Sequence, residues 1–492
     1  MPQPNILVFF TDQQRADTIH ALGNAVIRTP NLDRLCAEGT AFTSAFSPSP
    51  VCVPARCALH YGLYPQRTRC YENGSPMPED ERPSFMQALT QAGYRTHGLG
   101  KCHFTPDRHA LRGFQSRELQ EEMVDNPADD DYHRFLHAQG FGHICDPHGI
   151  RGEMYYTPQP AQMPAHLHPT HWIGDRAKAF IAAQTPQQPW MLFCSFVHPH
   201  PPFAPPNPWH KLYRAPLMPL PHIPPDSEAL YTMVNRRQNR YKYRDQGFDQ
   251  NLVRSIKAYY YAIISFIDYQ VGRVLETLEQ SGALDNTLIL FTSDHGELLG
   301  DYRCFGKRSM HNACARVPML ARLPGHFAAG QICPDPVNLV DVMPTILAAA
   351  DIPHPATGLD GENLAAVAAG QSAREYVYSQ DNDKQNAIYT IFGRRWKYAY
   401  SAADNQEFLF DRQQDPLESR NFAGMMLRAT EQRQMRETLI SYLHSAGESD
   451  ALEGRNWKVY PRQEMPRNPD AGLLIQDHPW PDTNIPGYST CD

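Results

Sequence analysis

The chain contains 492 residues, more than one hydrophobic core usually organises, so one large domain and a smaller one are expected. Its formal net charge of −8 at pH 7 excludes nucleic acid as a main partner, although a small anionic substrate remains compatible with it. No apolar run approaches the roughly 18 residues that span a bilayer, so no membrane segment is predicted.

The first predicted element is a strand over Asn5–Phe10, whose unbroken apolar run is typical of a strand buried on both faces. Asp12 and Gln13 come directly after this strand, at its carboxyl end. Ligands of open parallel sheets collect at that edge, so the pair is a candidate ligand set. A helix cap or polar loop is the structural alternative for such a pair.

A loop that opens a helix is predicted at Cys52–Arg56, between the polar turn 47–50 and the apolar segment Cys57–Leu59. A nucleophile at Cys52 would face the exposed backbone N–H groups of the helix start, which favour anions. Arg56 lies one turn further along the same face, where it can hold the nucleophile or an anionic substrate. A buried structural cysteine beside a chance Pro and Arg is the alternative.

Three later strands are followed by polar side chains in the same way. The segments are, in chain order, a strand over Tyr94–Leu99 followed by Lys101 and His103, a strand over Trp190–Val197 followed by His200, and a strand over Thr287–Thr292 followed by Asp294, His295 and, after a longer loop, Lys307. Between them lie a Pro-dense stretch, 198–226, predicted to be an irregular active-site rim, and a helix from about Ala258 to Gln280 with a 3.6-residue apolar period.

This alternation predicts an α/β fold with a large, mainly parallel or mixed sheet sandwiched by helices over residues 1–372. Short aromatic-rich strands at 376–378, 387–392, 396–400 and 408–410 follow, and then a helix from about Met425 to His444. They predict a smaller antiparallel-sheet-plus-helix subdomain over 373–447. The tail 448–492 is rich in Pro, and Trp457, Tyr460 and Trp480 favour its docking on a surface.

Two carboxylates, one carboxamide oxygen and one imidazole are expected to meet where the strands end. The predicted ligands of a divalent cation are Asp12, Gln13, Asp294 and His295. The majority of oxygen atoms favours Ca²⁺, and the imidazole leaves Mn²⁺ open.

In their order these segments resemble the type I, formylglycine-dependent sulfatases of the alkaline phosphatase superfamily. The stretch Cys52–Arg56 with Gly62 resembles the family's Cys-x-Pro-x-Arg signature and its later Gly. Residues 100–103 resemble its Gly-Lys-x-His, residues 199–202 its Pro-His-x-Pro, and Lys307 its second sulfate-binding Lys. Gln13 departs from the commoner second Asp of the family's metal site, and the loss of one negative charge should weaken the hold on a hard cation.

The resemblance implies that a formylglycine-generating enzyme converts Cys52 to an aldehyde, whose hydrate attacks a sulfate monoester of a sugar or of an aryl or alkyl alcohol. The implied roles of the other residues are binding of formylglycine and sulfate oxygens by Arg56 and Lys101, proton removal by His103, and service of the leaving group by His200 and Lys307. Lys101, His200 and Lys307 are thus the expected substrate-binding residues.

Two other functions remain open. Phosphonate monoester and phosphodiester hydrolases of the same superfamily share the Cys-x-Pro-x-Arg start, an Asp-Gln metal pair and the Pro-His-Pro-Pro-Phe loop, although Lys101 and His103 favour a sulfatase. A non-catalytic, metal-stabilised binding protein with unmodified Cys52 is the alternative from another class. A complete set of proton-transfer groups argues against it.

The sequence also bears on the location and the partners of the protein. The scattered cysteines and the N-terminus, which enters the first strand without a leader, predict a cytoplasmic protein of bacterial type. A homo-oligomer is possible if the tail crosses to a neighbouring subunit. Specificity is expected to come from the insert 105–170, the rim and the tail, where His143, His148, Arg151 and Arg236 could meet a second anionic group.

Overall fold

A computed structural model describes residues 3–80, 82–124, 126–243, 248–355, 358–465 and 467. Its strands are β1 (Asn5–Thr11), β2 (Thr40–Phe42), β3 (Ala45–Phe46), β4 (Arg95–Gly100), β5 (Ser116–Glu118), β6 (Trp190–Ser195), β7 (Thr287–Ser293), β8 (Met319–Arg322), β9 (Gln331–Cys333), β10 (Val337–Asn338), β11 (Val377–Asp381), β12 (Ile388–Phe392), β13 (Trp396–Ser401), β14 (Gln406–Asp411), β15 (Leu452–Glu453) and β16 (Asn456–Trp457). Its helices are α1 (Pro30–Glu38), α2 (Cys52–Tyr61), α3 (Pro65–Thr68), α4 (Phe85–Gln91), α5 (Asp131–Ala138), α6 (Pro169–Ala182), α7 (Met233–Tyr243), α8 (Gln250–Gln280), α9 (Asn312–Ala315), α10 (Val342–Ala349), α11 (Leu364–Ala368) and α12 (Ala429–Ser445).

The main layer is an eight-stranded mixed sheet in the order β5-β4-β6-β1-β7-β8-β2-β9. The first five strands of that order run parallel, β8 is antiparallel to β7 and β2, and β9 is parallel to β2. The carboxyl ends of β5, β4, β6, β1 and β7 therefore meet along one edge. This arrangement confirms the predicted fold class.

Helices cover both faces of the sheet because successive side chains of a strand point to opposite sides. In β1, Ile6, Val8 and Phe10 pack with apolar side chains of α2, α4 and α10, whereas Leu7 and Phe9 pack with those of α1, α6 and α8. All five of these β1 residues are fully buried, as their continuous apolar run predicted. No helix in the described ranges is both long and apolar enough to cross a membrane.

The longest helix, α8, starts earlier than its apolar period predicted, at Gln250 rather than near Ala258. The Asp249 side chain caps this helix by accepting hydrogen bonds from the backbone N–H groups of Asn251 and Leu252. The helix before β4 ends at Gln91, and the rim 198–226 is irregular apart from short 3₁₀ turns, as the density of Pro predicted.

The C-terminal strands β11–β14 form a four-stranded antiparallel sheet, and α12 packs on one of its faces. The other face contributes Ala399, Phe408 and Phe410 to an apolar cluster with Leu298 and Met310, which lie between β7 and α9. The division at residue 373 stays a prediction. Of the tail, Trp457 is docked by stacking on Tyr400, with ring centroids 4.3 Å apart, whereas Trp480 lies outside the described residues.

Candidate active site

The strand ends bring most of the predicted residues to one place. Asp12 and Gln13 follow β1, Asp294 and His295 follow β7, and Lys101 follows β4, whose register pairs Gly100 with Ser195 of β6. Cys52 is the first residue of α2, so its side chain lies at the helix N-terminus, as predicted. These parts of the chain meet because β1 lies between β6 and β7 in the sheet.

Four buried groups form a cluster that suits a divalent cation. The ligating atoms of Asp12, Cys52, Asp294 and His295 all lie within 4.8 Å of one another. Gln13 is next to them with a positive φ of 69°, and its amide nitrogen donates a hydrogen bond to Glu297. Its carboxamide oxygen is buried and accepts no hydrogen bond from any described residue. A buried oxygen without a donor beside two carboxylates is what a hard cation requires.

The Cys52 thiol is held between positive and negative groups. Lys307 Nζ donates to Cys52 Sγ at 2.8 Å, His295 Nε2 lies 3.4 Å from the sulfur, and Asp12 Oδ1 lies 3.8 Å from it. Burial and the Asp12 carboxylate raise the pKa of Cys52, but Lys307, Lys101 and the hydrogen bond with His295 outweigh them and lower the pKa to about 6. An unmodified Cys52 would therefore carry substantial thiolate at neutral pH.

Arg56 is fully buried and serves the carboxylates of the cluster. Its guanidinium donates to Asp12 Oδ2 at 3.0 Å and to Asp294 Oδ2 at 3.2 Å. It also donates to Ser195 Oγ and to the carbonyl oxygen of Lys101. Arg56 thus holds the two carboxylates of the cluster in place, and no hydrogen bond joins it to Cys52 among the described residues.

The Lys101 ammonium bridges two carboxylates. Its Nζ lies 2.8 Å from Asp12 Oδ2 and 2.8 Å from Glu122 Oε2. Burial alone would raise the pKa of Asp12, but Lys101, His200, Lys307 and Arg56 hold it well below its ordinary value. Asp12 is therefore a carboxylate at neutral pH.

Comparison with known proteins accounts for this arrangement. A model of the sulfatase family matches residues 4–352, and a second, described as N-sulphoglucosamine sulphohydrolase, C-terminal, matches residues 300–445. The chain belongs to the sulfatase family. This confirms the predicted family and the predicted enzyme class.

Individual relatives agree with the family. An arylsulfatase of Clostridium perfringens is 28% identical over 489 residues, covering 93% of this chain and 98% of that protein. A choline-sulfatase of Rhizobium meliloti is 30% identical, covering 86% of this chain and 82% of that protein. The crystal structure of a phosphonate monoester hydrolase of Agrobacterium radiobacter superposes with a TM-score of 0.79 at 25% identity, covering 92% of this chain and 98% of that one.

In this sulfatase, His200 lies at the same edge, in the rim after β6. Its ring is buried, and Nδ1 lies 2.7 Å from the carbonyl oxygen of Pro201 and 3.4 Å from Glu122 Oε1.

His103, unlike the other predicted groups, has no hydrogen-bonded contact with the site among the described residues. Its ring makes no hydrogen bond with any described site residue, and burial followed by the charge of Lys101 lowers its pKa to about 4. The proton-removing role of His103 stays a prediction.

Two acidic residues of the sulfatase site were missed in the sequence. Glu297 accepts hydrogen bonds from the Gln13 amide and, at 2.9 Å, from Tyr156 Oη, so it fixes the orientation of the Gln13 carboxamide. Glu122 bonds to Lys101 and, at 2.9 Å, to Arg151. For Glu297 a signal existed, because it lies three residues beyond Asp294. Glu122 lies in the insert 105–170, where no motif indicated it.

The residues considered for a second anionic group are dispersed. Arg151 lies near the site, paired with Glu122 and stacked over Tyr155 at 5.0 Å. His148 is buried against other rings, including His198, and His143 is exposed. Arg236 pairs with Asp404 of the C-terminal part. Of the four, only Arg151 is in contact with a site residue described above.

Proposed function

We propose that this sulfatase hydrolyses sulfate monoesters with a nucleophile made from Cys52. The observation that carries the proposal is the 2.8 Å contact between Lys307 Nζ and Cys52 Sγ at the start of α2, beside the cation-binding cluster. A sulfate placed against residue 52 would meet the ammonium groups of Lys307 and Lys101. Fixed positive charge in a buried site stabilises the anionic transition state of sulfate-ester cleavage.

The family implies two groups that are absent from the unmodified chain, a divalent cation and formylglycine at residue 52. Asp12, Gln13, Asp294 and His295 would hold the cation, with Ca²⁺ favoured by the oxygen ligands and Mn²⁺ as the second choice. When bound, the cation neutralises developing negative charge, and formylglycine made by a formylglycine-generating enzyme supplies a hydrated aldehyde as nucleophile. The buried carboxylates of Asp12 and Asp294 and the Gln13 oxygen fit the cation, and the place of Cys52 at the start of α2 beside Lys307 fits the formylglycine.

The chain's own side chains divide the remaining work. Lys101 and Lys307 bind sulfate oxygens, and Arg56 keeps the ligand carboxylates in place. His200 donates a proton to the oxygen of the departing alcohol, which contributes roughly 10²–10⁴-fold for a poor leaving group. Replacing His200 by Ala should therefore slow alkyl sulfates more than aryl sulfates, because a phenolate leaves without much help.

The names of the relatives direct the choice of substrates. Aryl sulfates, as for the arylsulfatase, and small alkyl sulfates such as choline sulfate, as for the choline-sulfatase, are the first compounds to assay. A sulfated sugar is the third class to include.

The nucleophile is tested on the peptide that carries residue 52. After coexpression with a formylglycine-generating enzyme, mass spectrometry should show this peptide lighter by about 18 Da than its cysteine form. Cys52→Ala should remove turnover of nitrophenyl sulfate, whereas Cys57→Ala, a buried cysteine of the same helix, should retain most of it. An unmodified Cys52 in an inactive protein would favour the binding protein instead.

A second candidate function, hydrolysis of phosphonate monoesters or phosphodiesters, is favoured by the 0.79 TM-score to the phosphonate monoester hydrolase. Lys101 argues for a terminal sulfate, because its ammonium offers charge to an oxygen that a diester would have esterified. Comparing kcat/KM for nitrophenyl sulfate with kcat/KM for a nitrophenyl monoester of phenylphosphonic acid decides between the two functions. We expect the sulfate to be preferred, and a preference for the phosphonate would reverse the assignment.

A further inference from the structure

Glu122 has a position in the active site that the functions assigned above do not use. It follows the edge strand β5, and its side chain is 14% exposed. Its Oε2 lies 2.8 Å from Lys101 Nζ, and its Oε1 lies 2.9 Å from Arg151 and 3.4 Å from His200 Nδ1. One carboxylate thus meets three cationic or protonatable groups, on segments that are far apart in the chain.

The contacts of His200 define which of its ring nitrogens is available. Nδ1 lies 2.7 Å from the Pro201 carbonyl oxygen, which can only accept, so Nδ1 is assigned the hydrogen and donates to it. Glu122 lies on this same edge of the ring. Nε2 makes no hydrogen bond with any described residue, which leaves it as the atom that can exchange a proton with a substrate.

The electrostatic surroundings of His200 come from several elements. Burial lowers its pKa well below the ordinary value, and Glu122 is the strongest opposing influence. Lys307 and Lys101 lower the pKa further, while Asp12 raises it. Glu122 itself stays ionised, because His200, Lys101, Arg151 and Lys307 outweigh its burial and hold its pKa well below the usual range.

We propose that Glu122 is a positioning residue for His200, whose carboxylate lies against the Nδ1 edge of the ring and keeps the imidazolium form accessible for proton transfer to the leaving group. The proposal rests on the proposed function of His200. As the nucleophile made from Cys52 bonds to sulfur, the S–O bond to the alcohol breaks, the Nε2–H bond of His200 breaks, and an O–H bond forms on the departing alcohol oxygen. His200 is left neutral and regains a proton from water, and Glu122 remains a carboxylate throughout.

A purely structural role, in which Glu122 only neutralises Lys101 and Arg151, makes different predictions. Loss of that role would impair sulfate binding for every substrate and at every pH. The proposed role concerns the proton of His200, so its loss depends on the leaving group and on pH. These two dependences separate the roles.

The test compares Glu122→Gln, which keeps the shape and removes the charge, with Glu118→Gln. Glu118 belongs to β5 and pairs with Arg176 and His97, so this control makes the same change of charge away from His200. In kcat/KM profiles the basic limb reports loss of the proton from the general acid of the free enzyme. For an alkyl sulfate this limb should move to lower pH by about one unit or more in Glu122→Gln, and it should stay in place in Glu118→Gln.

The leaving-group dependence should agree with the pH dependence. At the optimum of the unmodified protein, Glu122→Gln should slow the alkyl sulfate about tenfold or more and nitrophenyl sulfate less than about threefold. Glu122→Asp, which keeps the charge, should return the basic limb most of the way to its pH in the unmodified protein. An unmoved limb, or equal losses on the two substrates, would overturn the proposal.

A titration without substrate separates this proposal from the proposed function. The His200 ring resonances, assigned by their absence in His200→Ala, should titrate at lower pH in Glu122→Gln than in the unmodified protein. An unchanged titration overturns the role of Glu122 even if sulfate esters are hydrolysed. If no sulfate ester is hydrolysed, the proposed function fails, and a lowered His200 titration still supports the coupling of Glu122 to His200.

Discussion

In the buried cluster of Asp12, Cys52, Asp294 and His295, each carboxylate has a basic partner. Arg56 bonds to Asp12 and Asp294, and Lys101 bonds to Asp12. Removing one partner of a buried ion pair leaves a charge uncompensated and costs about 3–5 kcal/mol. The site is therefore coupled to stability as well as to catalysis at the level of single residues.

Asp130 provides a residue-scale prediction outside the catalytic groups. It is buried and caps α5 by accepting from the His133 backbone N–H, and it also accepts from the backbone N–H of Glu121. Burial raises its pKa to about 7, so the folded state binds a proton that the unfolded state releases near pH 4. The contribution of Asp130 to the free energy of unfolding should therefore fall as the pH rises from about 4 to about 7.

Asp130→Asn keeps a capping oxygen and removes the titration. Relative to the unmodified protein, its free energy of unfolding should rise by up to about 4 kcal/mol between pH 4 and pH 7. Denaturant unfolding at several pH values measures the difference. A difference that does not vary with pH would contradict the assigned cause.

At the scale of elements, the active site depends on the close contact between β4 and β6. Gly100 ends β4 with φ at +83°, and a Cβ there would lie 2.0 Å from the carbonyl oxygen of Ser195 in β6. The backbone N–H of Lys101 donates to that same carbonyl oxygen at 3.3 Å. Only a residue without a side chain lets β4 approach β6 and deliver Lys101 to the site.

Gly100→Ala should therefore cost about 3 kcal/mol or more of stability and lower kcat/KM about a hundredfold, because Lys101 is displaced. Gly93→Ala is the matched control, since Gly93 has a similar φ of +90° but no heavy atom within 4 Å of the position that a Cβ would take. That control should show only the backbone penalty of about 1 kcal/mol, with unchanged kcat. Equal effects of the two changes would exclude crowding against Ser195 as the cause.

At the scale of the whole molecule, a buried charge network joins the small C-terminal sheet to helix α9 of the larger part of the chain. Lys397 of β13 pairs with Glu418, and Glu418 also accepts from the backbone N–H of Asn312 in α9. The backbone N–H of Gln380 in β11 donates to the carbonyl oxygen of Pro48, four residues before Cys52. The small sheet thus contacts the segment that leads into the nucleophile.

Binding of a cation should stabilise the whole fold, because its proposed ligands follow two different strands, β1 and β7. A cation that binds only the folded state adds about 2.7 kcal/mol at a hundredfold excess over Kd. Thermal unfolding after chelation, with Ca²⁺, Mn²⁺ or Mg²⁺ restored, measures this increment, and Ca²⁺ should give the largest. The increment should fall in Gln13→Asn and persist in Gln14→Asn, and an increment equal in both would remove Gln13 from the ligand set.

Much of this fold and site was predictable, because a long buried strand has a continuous apolar run in the sequence. Side chains directly after such parallel strands lie at the same edge of the sheet. The position of Asp12, Asp294 and Lys101 at one edge of the sheet was predicted in this way. The start of α8 was misplaced because the apolar period was followed without its cap, Asp249. Glu122 was not predictable, since β5 is only three residues long and its pairing with β4 depends on the assembled sheet.

The sequence by itself determined the family, the strand-end chemistry and the place of Cys52 at a helix start, because these follow from local periodicity and from motif spacing. Tertiary structure alone decided what each charge contacts: Arg56 binds Asp12 and Asp294, Lys307 binds Cys52, and Glu122 meets His200. The physical reason is that hydrogen bonds act over about 3 Å, whereas these partners are separated by tens to hundreds of residues along the chain.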